Sequence, residues 1–91
     1  MPVNFFWDTR KAATNRKKHG VSFEEAATVF GDALAVVIQD DLHPERALLL
    51  GLSVRQRVLL VVHAEVDEST IRIISARRAT SHERRRYEEG S

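Results

Sequence analysis

No cysteine occurs in this chain, so it can build neither a disulfide framework nor a thiolate metal site. No apolar run approaches the roughly 18 residues of a membrane-spanning helix. The opening residues, Met1-Pro2-Val3-Asn4-Phe5-Phe6-Trp7-Asp8, lack a basic region followed by an apolar stretch and a cleavage site. The expectation is therefore a cytoplasmic protein with no secretory signal and no membrane partner. Only four glycines are present, all isolated, which excludes a glycine-rich phosphate loop. The four histidines, His19, His43, His63 and His82, are scattered and unpaired at helical spacing, which argues against a metal centre. No serine has a nucleophile-elbow context. Most familiar enzyme classes fall with these absences, and no cofactor is implied.

What is present is arginine. The net charge of +1 conceals a segregation of charge. Arg10, Lys11, Arg16, Lys17 and Lys18 form one basic block. Arg77, Arg78, Arg84, Arg85 and Arg86 form another, with Glu83 the only acid among them. The acids gather at Glu24, Glu25, Asp32, Asp40, Asp41 and Glu45, and again at Glu65, Asp67 and Glu68. Folding that joins the two basic blocks would present a positive surface to a polyanion. Two ordinary solvated helix faces are the simpler reading.

Ninety-one residues make one domain, residues 1–91, with 43% hydrophobic residues to form a modest core. Residues 3–7 read as a short strand. Asp8 caps a weakly amphipathic helix that runs to about His19 and stops at Gly20. Ser22 and Glu25 have the spacing of a capping box. Phe23, Ala26, Ala27 and Phe30 then fall on one helical stripe, ended by Gly31. Four strands follow, over residues 33–39, 46–53, 57–65 and 70–76, separated by turns at 40–44, 54–56 and 67–69. Thr80 and Glu83 open a terminal helix with a second capping box. The order β-α-α-β-β-β-β-α predicts an α+β fold: a four-stranded antiparallel meander plus a short N-terminal strand at its edge, with two N-terminal helices and one C-terminal helix. Helices on one face would leave the other partly apolar and open to a partner.

The last long strand carries the two arginines of most interest. Strict alternation turns Arg72 and Arg77 to opposite faces. Arg77 stands at the strand's end, where a rigid sheet can root a guanidinium against a phosphate. RNA supplies its own nucleophile, the ribose 2′-hydroxyl. A metal-free ribonuclease therefore needs a base, a fixed positive charge on the transition state and an acid. Arginine serves the second need and not the others. Glu45, His63, His19, Lys18 and Tyr87 are the candidate proton carriers, and spacing does not choose among them. Arg46, beside Glu45, is a second phosphate contact. Trp7 can stack on a base, and Lys17, Arg78 and Arg84 add basic contacts to an RNA backbone.

Several segments occur together in a recognisable order: Phe6-Trp7-Asp8, Asn15, Lys18-His19-Gly20-Val21-Ser22-Phe23-Glu24-Glu25-Ala26, Phe30 and Asp32, Glu45-Arg46, Gly51, Ile71 through Ala79, Glu83-Arg84 and Tyr87. Over nearly the whole chain this pattern resembles the BrnT family of bacterial toxins. It departs at His63, where the family's usual pattern has a threonine. The resemblance implies a RelE-like fold and a metal-independent RNA endonuclease that blocks translation. It also implies neutralisation by a cognate BrnA-type ribbon-helix-helix antitoxin, in a hetero-oligomer that represses its own operon and touches DNA only through the antitoxin. Carried onto this sequence, the catalytic candidates are Arg77, Arg46, Glu45, Arg72, His19 and Lys18. The competing reading is a non-catalytic module that binds nucleic acid or protein through its basic surface and open sheet face.

Overall fold

The computed structural model describes residues 3–90. Its elements are β1 (Asn4–Phe6), α1 (Thr9–His19), α2 (Phe23–Thr28), β2 (Val36–Gln39), β3 (Ala47–Leu52), β4 (Val58–Asp67), β5 (Thr70–Arg78) and α3 (Ser81–Glu89). The strand order is β1-β5-β4-β3-β2. Strands β2 to β5 form the expected antiparallel meander, and β1 adds at the edge, parallel to β5. The architecture is α+β on a mixed sheet.

Local chemistry sets the helix ends. Asp8 accepts from the backbone N–H groups of Arg10 and Lys11 at 2.8 and 3.2 Å, satisfying first-turn donors that the helix leaves free. Gly20, at φ 70°, ends α1 in the left-handed conformation that glycine adopts without penalty. Ser22 accepts from Glu25 N at 3.0 Å, but the reciprocal half of that capping box is missing. The Glu25 carboxylate turns instead to Ser53 and Arg57, because a buried carboxylate needs a cation more than a backbone amide. At Thr80 the box is complete.

Strands β4 and β5 run two residues past their expected ends, and the larger changes lie between Val29 and Val36. The second helix tightens into a 3-10 turn over Val29–Gly31. The next strand begins at Val36 rather than Ala33, because Asp32 folds the backbone into a turn. Its side chain accepts from Leu34 N at 3.0 Å and its carbonyl from Ala35 N at 3.1 Å.

The main core lies between α1, α2 and one sheet face. Val21, Phe23, Ala26 and Val29 pack against Leu49, Leu59, Val61, Ile73 and Ala76. Gly51 is required for this contact: a Cβ there would meet Val29 Cγ1 at 2.8 Å and Ala35 Cβ at 3.0 Å. We expect Gly51→Ala to cost about 1–3 kcal/mol, the usual range for an overpacked core, measured by urea unfolding.

The helices do not share one face. Leu50 pairs with Leu60, and Leu60 with Arg77, on the side opposite Leu49 and Val61. Leu50 is nonetheless fully buried, and the cover comes from α3. Arg77 donates to Glu83 of α3 at 2.8 and 2.9 Å, and Tyr87 Oη donates to Asp32 Oδ2 at 2.6 Å. That hydrogen bond, with burial, pushes the Tyr87 phenol up to about 12. So α3 closes one half of the second face and leaves the other half open.

His63 is buried on the main-core side, 4.8 Å edge-on from Phe30. Burial lowers its pKa below the ordinary 6.5, a backbone contact to Val61 opposing. The folded state therefore holds His63 neutral, while the unfolded chain takes up a proton below 6.5. Stability falls as pH drops through that value. We expect Tm to decline between pH 7 and pH 5 in wild type, and His63→Gln to flatten the decline.

Candidate nucleic-acid interface

A bulge in β5 decides which residues share the open half-face. Between Val62 and His63 the register shifts: Val62 pairs with Ser75, and His63 with Ile73, so Ile74 is left without a cross-strand partner. The extra residue reverses the alternation downstream. Arg72 pairs with Ala64 and Arg77 with Leu60, four residues apart on β4 and so on one face. The expectation that Arg72 and Arg77 point opposite ways is corrected.

A transverse row results. Arg72 has Ala64 on one side and Phe6 of β1 on the other. Phe5 packs on Phe30 in the core, so Phe6 turns outward, 46% exposed. Arg46 lies one residue before β3, whose ladder opens with Ala47 opposite His63, and continuing the alternation of Leu48 would carry it to the same face at the level of Ala64. The Cα atoms of Arg46 and Arg72 therefore stand about 10 Å apart, two strand spacings, across a small residue. A gap of that size is within the combined reach of two arginine side chains. Arg46 Nε lies 3.8 Å from Glu45 Oε2, and His43 Nδ1 lies 3.7 Å from the same oxygen. Among the described residues Arg72 has no acidic partner.

Arg77 is differently placed. By the same spacings it is about 16 Å from Arg46, and its fork is filled by Glu83 and by the Arg78 carbonyl at 3.2 Å. Arg77, first among the causes, holds the Glu83 carboxyl below its usual range against burial. By these spacings Arg46 stands nearer to Arg72 than to Arg77.

A second grouping borders the first. Past Arg72, β5 has no strand neighbour on its outer edge, and α1 takes that place. Asn15, buried, accepts from Ala76 N at 3.1 Å and donates to Ala76 O and Val21 O at 2.8 and 3.0 Å. A side-chain amide thus completes the sheet edge. Beside it a cleft of about 320 Å³ opens between α1 and the bulge, with Lys18, His19 and Ser75 in its wall. Lys17, Arg78 and Arg84 are exposed. Trp7 packs edge-on to Phe23 at 5.9 Å as part of the core boundary, and the ring free to stack on the open half-face is that of Phe6.

Sequence reasoning missed Phe6, His43 and Asn15 as contributors. Phe6 carried a usable signal, since Phe5 and Phe6 must point to opposite faces of a strand. The partner of Asn15 lies 61 residues away and left none. Among the described residues no group of three or more His, Asp or Glu side chains is placed to hold a metal ion, and no helix is long and apolar enough to cross a membrane.

Fold and site together define a small α+β protein with arginines and an aromatic ring on the half of one sheet face that no helix covers. The chain belongs to the family described as the ribonuclease toxin, BrnT, of type II toxin–antitoxin systems, which it matches over residues 7–83. It is accordingly a toxin with ribonuclease activity, with RNA as its target and an antitoxin as its partner. The crystal structure of the Brucella abortus ribonuclease toxin BrnT has a similar fold, with a TM-score of 0.71 at 23% sequence identity, covering 87% of this chain and 99% of that one. No curated protein matches the sequence.

Proposed function

We propose that the chain cleaves RNA without a metal ion, with the scissile phosphate held between Arg46 and Arg72 above Ala64. The observation that carries this reading is the row of Ala64, Arg72 and Phe6 on one face, with Arg46 one residue before the start of β3 beside it. Glu45 removes the proton of the ribose 2′-hydroxyl, and the 2′-oxygen forms a bond to phosphorus as the P–O5′ bond breaks. His43 passes a proton to the departing 5′-oxygen. The products are a 2′,3′-cyclic phosphate and a 5′-hydroxyl. Charge that accumulates on the phosphoryl oxygens is met by the two guanidinium forks, and a flanking base stacks on Phe6.

In this reading Arg77 is a positioning residue that clamps α3 to β5. Lys18 and His19 contact the substrate from the neighbouring cleft, and Lys17, Arg78 and Arg84 attract the backbone at longer range. Cleavage of RNA blocks translation in the cytoplasm. A BrnA-like ribbon-helix-helix antitoxin covers the arginine row, and the complex represses its operon through the antitoxin's DNA contacts.

Purified toxin incubated with RNA in EDTA is expected to yield 2′,3′-cyclic phosphate ends, and a single 2′-deoxy substitution at the cut site is expected to block cleavage there. Cleavage that EDTA abolishes, or that persists at the deoxy position, would overturn the mechanism. Binding without any cleavage would leave a nucleic-acid-binding module.

A further inference from the structure

The cleft between α1 and the β5 bulge has no part in the phosphate chemistry above. Its helix side bears Arg10, Lys11, Thr14 and Lys18, one stripe at helical spacing, and its floor is Ile74 and Ser75. Three cations and two hydroxyls rim a hollow of about 320 Å³ whose lining also has an apolar part, Ile74, which suits an anionic ligand that carries an apolar face. The volume lies at the lower end of the range for small-molecule sites, enough for one mononucleotide.

Its position relative to the arginine row is set by register. Ser75 pairs with Val62 and Arg72 with Ala64, so the two are neighbours on one face, about 7 Å apart along the strand. Ser75 therefore belongs both to the open half-face and to the cleft wall. A chain whose scissile phosphate lies at Arg72 has its next nucleotide within reach of the cleft, since successive phosphates in RNA are separated by a similar distance. Ile74, the bulged residue without a cross-strand register partner, gives that floor an apolar surface on which a base can rest.

We propose that this cleft is a nucleotide subsite: it holds the ribonucleotide adjoining the cleaved bond, its phosphate on Lys11 and Lys18 and its base against Ile74 and Ser75, and so selects the sequence that is cut. The inference rests on the placement of the scissile phosphate at Arg72 argued above.

The test is titration of the full-length toxin with each of the four ribonucleoside 5′-monophosphates and, separately, with inorganic phosphate, followed by amide NMR. Shifts are expected at Thr14, Ile74 and Ser75, with affinities that differ among the bases. Lys11→Glu with Lys18→Glu is expected to weaken binding by about tenfold or more, the scale of losing a charge-assisted contact, and to change the cut-site preference in RNA sequencing of cleavage ends. Thr14→Val, which leaves the charges in place, is expected to change base preference with little loss of phosphate affinity. Equal shifts from all four nucleotides and from phosphate alone would reduce the cleft to a plain anion contact and overturn the proposal. An unchanged cut-site pattern in both variants would do the same. Failure of the underlying reading looks different: Arg72→Ala would then keep full cleavage while the mononucleotides still bind the cleft.

Discussion

Arg72→Ala is expected to lower RNA cleavage by about 100-fold or more, the scale seen when one preorganised donor to a developing anion is removed. The fold should survive, because Arg72 makes no ion pair among the described residues and lies outside the main core. Its role would be to present a guanidinium rigidly, from the middle of a strand, beside Arg46 and an outward aromatic ring. Arg72→Lys should restore only part of the activity, since an ammonium keeps the charge and loses the planar fork. Arg77→Ala provides the contrast. Its guanidinium is already shared with Glu83, so its loss loosens α3 and lowers Tm, with a smaller effect on the chemical step. Single-turnover cleavage and thermal unfolding of the three variants separate these outcomes. Retention of activity in Arg72→Ala, with loss confined to Arg77→Ala, would move the transition-state contact to the other end of the strand.

The element that sequence periodicity reads well is the one on which it also misleads. The run Thr70 to Arg78 is unmistakably a strand, and its neighbours follow from short turns. Alternation nevertheless assigns Arg72 and Arg77 to different faces, because a bulge is a property of two strands meeting and not of either alone. Val62 and His63 lock onto Ser75 and Ile73 because that register keeps Ile73 and Ala76 both in the core, where each is 1% exposed. Strict alternation would have sent one of them out. The placement of α3 was hidden for a similar reason. Its charged sequence shows no stripe wide enough to announce a buried face, and two polar contacts, Arg77 with Glu83 and Tyr87 with Asp32, fix it where it is. The capping residues and the glycine stops, which act within a few residues, were readable. The row of Arg46, Ala64, Arg72 and Phe6 needed three strand pairings at once.

The largest expected effect on stability lies away from the proposed site, at Arg57. Glu25 is only 5% exposed, and its carboxylate accepts from two of the three guanidinium nitrogens of Arg57, Nε at 3.0 Å and Nη2, and from Ser53 Oγ at 2.6 Å. Burial alone would raise the Glu25 pKa. The hydrogen bonds from Arg57 and Ser53 outweigh it and hold the carboxyl below its ordinary 4.5. Arg57 also donates to the Gly20 carbonyl at 3.1 Å, so one side chain ties the β3–β4 turn to α2 and to the end of α1. Arg57→Met removes the cation and leaves a buried carboxylate unpaired, a change that costs about 3–5 kcal/mol. For a domain of this size that corresponds to a fall in Tm of roughly 12 °C or more. Adding Glu25→Leu should recover most of the loss, because the penalty comes from the stranded charge and not from the absent pair. The sign with pH follows. The depressed Glu25 pKa contributes stability that is complete above 4.5 and is lost as acid protonates the carboxylate in the folded state. The double variant should show a flatter stability profile below that value. An Arg57→Met chain as stable as wild type would mean that water, and not Arg57, balances the buried carboxylate.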